Sequence, residues 1–157
     1  MKISELLNEN NVLLDLEAID KYEIINALVE VVSKSNKVLD RDKVKNCVLE
    51  REKVLSTGVG KGFAVPHGKT DAVTEIVVAF AITKNPVDYE ALDDQPVRLV
   101  FLIIGRDSLV SSHIKLLSRI SRLMNNEDFR ESLLNSNSVS EVLDHFKKEE
   151  ANYFDIS

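Results

Sequence analysis

Residues Ser56–Thr70 read STGVGKGFAVPHGKT, and the fold turns on this stretch. Four of the chain's five glycines fall inside it: Gly58, Gly60, Gly62 and Gly68. The text before it is helical. Asp20 followed by Glu23 resembles a capping box with Asp in place of Ser or Thr, and Ile24, Ile25, Leu28, Val31 and Val32 follow at helical spacing. A second helix is expected from Arg41 to Leu55, with Asp40 as its N-cap. Val12–Leu16 fits a short strand. Beyond the glycines the period changes. Ile76–Ile82 and Leu99–Ile104 are short, apolar and β-branched, which predicts buried strands, and Asn85-Pro86 and Gln95-Pro96 punctuate the text between them. Helical spacing returns over Val110–Met124, Glu127–Leu134 and Ser140–Lys148, the last preceded by a Ser138…Glu141 capping box. The order α, then β, then α predicts an α/β or α+β sandwich with helices covering a central sheet.

The chain has 157 residues, which suits one domain, expected over residues 1–150 with 151–157 (ANYFDIS) as a frayed C-terminal tail. A net charge of −6 argues against a nucleic-acid partner, whose binding surfaces are usually basic. The longest apolar run, Ile76–Ile82, has seven residues, whereas a membrane-spanning helix needs ~20; no membrane insertion is expected. The N-terminal MKISELLNENN lacks an apolar signal-peptide core. A single cysteine, Cys47, has no internal disulfide partner. Together these predict a cytoplasmic protein.

Two polar residues occupy apolar stripes. At about 100° per residue, Arg51 falls among Val44, Val48 and Leu55, in the middle of the expected buried face of the second helix. A long cation there either snorkels to solvent, pairs with a carboxylate, or reaches the core's edge to bind an anion. His113 likewise centres the stripe formed by Leu117, Ile120 and Met124. It lies in the first helical turn if Asp107 or Ser108 caps that helix, where the dipole disfavours imidazolium. Such a histidine is either a core residue bonded to a carbonyl or a neutral imidazole donating one N–H into a site. His145 flanks the stripe of Val142 and Phe146 and reads as a surface residue.

The glycine-rich stretch ends Gly68-Lys69-Thr70, but the glycine a P-loop needs five residues earlier is Phe63. The stretch also follows a helix, whereas a P-loop follows a strand. A hydrolase triad would need a positioned nucleophile such as GxSxG, which is absent. His67, His113 and His145 have no short metal-ligand spacing, so no metal is expected. His67 itself sits between Pro66, which stiffens the chain, and Gly68, which keeps its surroundings uncrowded and leaves backbone N–H groups accessible. A histidine mounted in that way suits nucleophilic catalysis.

Leu49–Thr70, LEREKVLSTGVGKGFAVPHGKT, resembles the signature of type-2 EIIA domains of the bacterial phosphoenolpyruvate-dependent phosphotransferase system, a family that includes the fructose/mannitol EIIA proteins and the nitrogen-regulatory EIIA. His113–Met124, HIKLLSRISRLM, is similar to the family's second histidine helix, and Asp88–Ile103 to its central strands. The resemblance covers about residues 3–148. It implies an α/β fold with a mixed, mostly five-stranded sheet flanked by helices. It implies a phosphoryl carrier without a cofactor, in which His67 accepts phosphate from an HPr-type carrier, with His113 and Arg51 as its catalytic partners. Thr57 and Gly68 are expected to support phosphoryl binding. Delivery to an EIIB domain for sugar uptake is the implied outcome, and control of a regulatory target protein by the phosphorylation state is the alternative. An apolar surface with an acidic rim is implied around His67, with Phe63 and Val65 either framing it or in the core.

Overall fold

A computed structural model describes residues 2–154. The chain runs α1 (Ile3–Leu6), β1 (Val12–Leu16), α2 (Lys21–Val32), α3 (Arg41–Val54), β2 (Gly58–Gly60), β3 (Phe63–Ala64), β4 (His67–Lys69), β5 (Val77–Val87), β6 (Val97–Gly105), α4 (Val110–Met124), α5 (Glu127–Leu134) and α6 (Val139–Phe154). The sheet order is β1-β5-β6-β3-β2, with β4 also paired to β6. β3 and β4 lie end to end along β6, Phe63 opposite Leu99 and His67 opposite Ile103. The break between them is Val65-Pro66, where proline offers no N–H to the ladder. The sheet is therefore five strands wide, and it is mixed. β1 runs parallel to β5, β5 antiparallel to β6, and β3 and β4 parallel to β6.

β5 and β6 are apolar on both faces because both faces are covered. Val78, Phe80, Ile82, Leu99, Phe101 and Ile103 join Leu116, Ile120, Phe129 and Phe146 in one core, beneath α4, α5 and α6. Val77, Ala79, Ala81, Val100, Leu102 and Ile104 pack with Ile24, Leu28, Val44 and Val48 beneath α2 and α3. The first face is filled by aromatics, with Phe146 set edge-on against Phe80 at 5.1 Å and Phe129 at 5.3 Å.

Asp20, Asp40 and Ser138 accept from the backbone N–H groups of Glu23, Lys43 and Glu141, as N-caps should. The reciprocal bond of each capping box comes one residue early: Glu23 accepts from Ile19 N and Glu141 from Asn137 N. Asn85-Pro86 does not end β5. The strand continues to Val87 with residues 84–86 exposed, where the pairing with β6 is irregular between Ile82 and Val87, and such a bulge tolerates proline. The expected tail also begins later than the sequence suggests. α6 continues through Phe154, because buried Glu150 accepts the N–H groups of Ile3 and Ser4 at 2.6 and 2.7 Å, and Tyr153 accepts from Asn126. Residues 155–157 lie outside the described residues. Among the described residues, no helix is long and apolar enough to cross a membrane.

Candidate functional site

His67 opens β4, opposite Ile103, and its side chain shares that residue's side of the sheet, facing α4. There it meets His113, the ring centroids 5.6 Å apart. Gly68, the next residue, faces the opposite side. A Cβ on it would lie 2.5 Å from Cys47 Sγ and 3.1 Å from the Cys47 carbonyl carbon. Glycine is therefore what allows α3 to lie directly on β4, and α3 carries Arg51. Helices from opposite faces of the sheet thus meet at one strand, each bringing one predicted residue. Gly68→Ala is expected to push α3 away and destabilise the fold by ~1–3 kcal/mol. Relief by Cys47→Ala should be partial, because the backbone contacts remain. A wild-type melting temperature for Gly68→Ala would show the approach to be loose.

A carbonyl oxygen can only accept, so the 2.8 Å contact between His67 Nδ1 and the Val65 carbonyl oxygen places the ring proton on Nδ1. Nε2 then carries the free lone pair. Burial pushes the His67 pKa below 6.5, the Val65 bond acts against that, the Arg51 charge pushes it down, Glu52 pushes it up and Lys69 pushes it down. His67 is half-buried, so Nε2 belongs to a neutral imidazole at neutral pH.

His113 is 3% exposed. Its helix starts at Val110 with Leu109 at the N-cap and no side-chain cap, not at Asp107 or Ser108 as expected, yet His113 stays in the first turn. The ring rests on Gly105, where a Cβ would sit 2.7 Å from Nδ1. Among the described residues, neither ring nitrogen has a hydrogen-bond partner, which argues against a carbonyl-bonded core histidine. Burial, then the nearby His67 and Lys69, lower its pKa to about 4. The unfolded state therefore binds a proton near pH 6.5 that the folded state refuses until about pH 4, and stability must fall as pH drops through that window. At ~1.4 kcal/mol per pH unit, the loss reaches about 3 kcal/mol. Urea unfolding between pH 7 and 4.5 should show a steeper decline for wild type than for His113→Gln; equal slopes would contradict the neutral burial of His113.

Arg51 is at the rim rather than mid-stripe. The buried line of α3 is Val44, Val48 and Glu52, which leaves Leu55 55% exposed. The helix crosses the sheet along an i, i+4 ridge, and this tilts the buried line away from Arg51. Its Nη1 donates to the Leu55 carbonyl at 2.8 Å, which holds the guanidinium against its own helix end. Thr57 is placed otherwise than expected. It is buried, and its hydroxyl donates to Glu52 Oε1 and contacts Tyr89 OH. Phe63 and Val65 are core residues. The apolar surface flanking the site consists instead of exposed Val54 and Leu55 on the Arg51 side and Leu109, Val110 and Ile114 on the His113 side. His145 is half-buried on α6.

Sequence reasoning missed Glu52, Lys69 and Gly105. Glu52 alone carried a signal, since it stands at i+4 from Val48. Among the described residues, no group of three or more His, Cys, Asp or Glu side chains is placed to hold a metal ion.

The family described as phosphoenolpyruvate-dependent sugar phosphotransferase system, EIIA 2, matches residues 5–149. The chain belongs to this family. Type-2 EIIA relatives include the fructose-specific EIIABC component of Bacillus subtilis, 40% identical over 92% of this chain. The chain spans about a quarter of that relative's length, 23%. The nitrogen regulatory protein IIA-Ntr of Neisseria meningitidis superposes with a TM-score of 0.85 at 31% identity, covering 92% of this chain and 98% of that one. The complex of enzyme IIAMtl with phosphorylated enzyme IIBMtl from Escherichia coli matches with a TM-score of 0.79 at 28% identity, covering 90% and 97%.

Proposed function

We propose that this chain is a phosphoryl carrier that accepts phosphate on His67 Nε2 from an HPr-type phosphohistidine protein and passes it to an EIIB domain. The observation that carries the reading is the His67 Nδ1–H bond to the Val65 carbonyl, which leaves Nε2 as a neutral, fixed nucleophile. In transfer, the Nε2–P bond forms as the donor's N–P bond breaks. The donor imidazole leaves neutral when its other nitrogen is protonated. The His67 ring becomes cationic, and the Val65 carbonyl holds the Nδ1–H on which that charge falls. Phosphoryl transfer needs positioning and electrostatic stabilisation more than covalent help. Arg51 supplies fixed positive charge, and His113, neutral and without a protein partner, supplies one N–H for a phosphoryl oxygen.

Exposed apolar side chains around His67 favour a protein donor over a small molecule. A cavity of about 540 Å³ elsewhere is lined by Asn8, Lys34 and Ile76 among others, and not by His67, His113 or Arg51. His67 instead stands between exposed apolar side chains, the composition of a docking surface. Incubation with phosphoenolpyruvate, Enzyme I and HPr should add one acid-labile phosphoryl group, chased off by the cognate EIIB domain. No uptake would end the reading.

The likeness to IIA-Ntr favours a second reading, in which the phosphorylation state of His67 controls binding to a regulatory target protein. Phosphate that loads but passes to no EIIB domain would select it.

A further inference from the structure

We infer that Glu52 is a positioning residue for His67, acting through a hydrogen-bond chain that runs from its buried carboxylate through Thr57 and Val65 to the His67 ring. Glu52 is 3% exposed. Its Oε2 accepts the Thr57 backbone N–H at 2.8 Å. The Thr57 carbonyl accepts the Val65 N–H at 2.9 Å. The Val65 carbonyl accepts the His67 Nδ1–H at 2.8 Å. The chain thus runs from α3 to the residue before β2, then to the residue after β3 and on to β4, and it fixes the one carbonyl that decides the ring's tautomer.

The carboxylate is held for this task from every side. Oε1 accepts the Thr57 hydroxyl at 2.5 Å and the Tyr89 hydroxyl at 3.3 Å. Lys21, 5% exposed, lies 3.5 Å from Oε2 and 3.4 Å from Glu90. Burying a carboxylate and a lysine costs free energy that the pair recovers only with satisfied hydrogen bonds. A salt bridge serving stability alone has no need to end on the backbone two residues from a nucleophile. Position and charge act in the same sense. The fixed Val65 carbonyl holds Nδ1–H, and the negative charge of Glu52 favours the cationic ring that attack on phosphorus creates, while Arg51 and Lys69 lie on the other side of the balance.

The inference rests on His67 as the phosphoryl acceptor, but its main test does not need phosphate. In wild type, ¹⁵N spectra should show neutral His67 as the Nδ1–H tautomer and the Thr57 amide proton far downfield, as a bond to a carboxylate requires. Glu52→Gln keeps the shape and removes the charge. It should lower the His67 pKa by roughly 0.5 or more and slow single-turnover uptake from phospho-HPr by ~10–100-fold, the usual cost of losing a group that orients a histidine. Because Glu52→Gln strands Lys21, the double variant Lys21→Met/Glu52→Gln is measured beside it. A merely structural role would move the melting temperature and leave the His67 titration where it was. The inference is overturned by an Nε2–H tautomer or an ordinary Thr57 amide shift in wild type, whatever the variants do. It is equally overturned by a folded variant that titrates and transfers like wild type. If the spectra are as expected but no protein takes up phosphate, the proposed function fails and the positioning chain stands.

Discussion

His67→Ala is expected to take up no phosphoryl group from phospho-HPr, where wild type takes up one. The expected effect is complete, because the substitution removes the attacking atom and no other side chain offers a substitute. His113 is next to it, with ring centroids 5.6 Å apart, but it is 3% exposed and both of its ring nitrogens are buried, so it cannot present a lone pair to an incoming protein. His145 is half-buried on α6, beside the buried stripe of Val142 and Phe146. The measurement is acid-labile label after incubation with Enzyme I, HPr and phosphoenolpyruvate, with circular dichroism to confirm folding. His67 is half-buried at the start of a three-residue edge strand, so its loss should leave the cores intact. Label retained by His67→Ala would move the acceptor elsewhere and remove the reason for the Nδ1 bond to Val65.

The second large effect belongs to His113→Ala. This variant should still accept phosphate, because His67 and its Val65 bond are untouched. Delivery should slow by ~10²–10³-fold, the cost of removing one donor from a preorganised anion site. Among the described residues His113 has no other partner for its nitrogens, so the whole value of its N–H is available to the phosphoryl oxygens. Transfer in and transfer out are measured separately in single turnovers. His113→Gln should recover part of the rate, because an amide also donates an N–H. Wild-type rates in both directions for His113→Ala would reduce His113 to a packing residue. Arg51→Lys makes a useful companion: lysine keeps the charge but loses the planar fork.

The sequence by itself determined the elements and supplied the expectation of the chemistry. Periodicity placed β5, β6 and the long helices, because strands covered on both faces must be apolar throughout and helices covered on one face must alternate. Resemblance then attached the phosphoryl role to His67, His113 and Arg51, residues whose types and spacing are local properties of the chain. Tertiary structure alone decided what joins them. That β3 and β4 share one neighbour, so that His67 faces α4 and Gly68 faces α3, is a matter of register. The tilt of α3 on the sheet moved Arg51 to the rim and put Glu52 inside, a difference of one residue that a helical wheel cannot resolve. Thr57 turned inward to Glu52 because a buried carboxylate takes every donor within reach. The tautomer of His67 depends on a carbonyl only two residues away, yet the bend that brings the two together comes from pairing with β6 and from the Thr57–Val65 bond, and periodicity carries no trace of either.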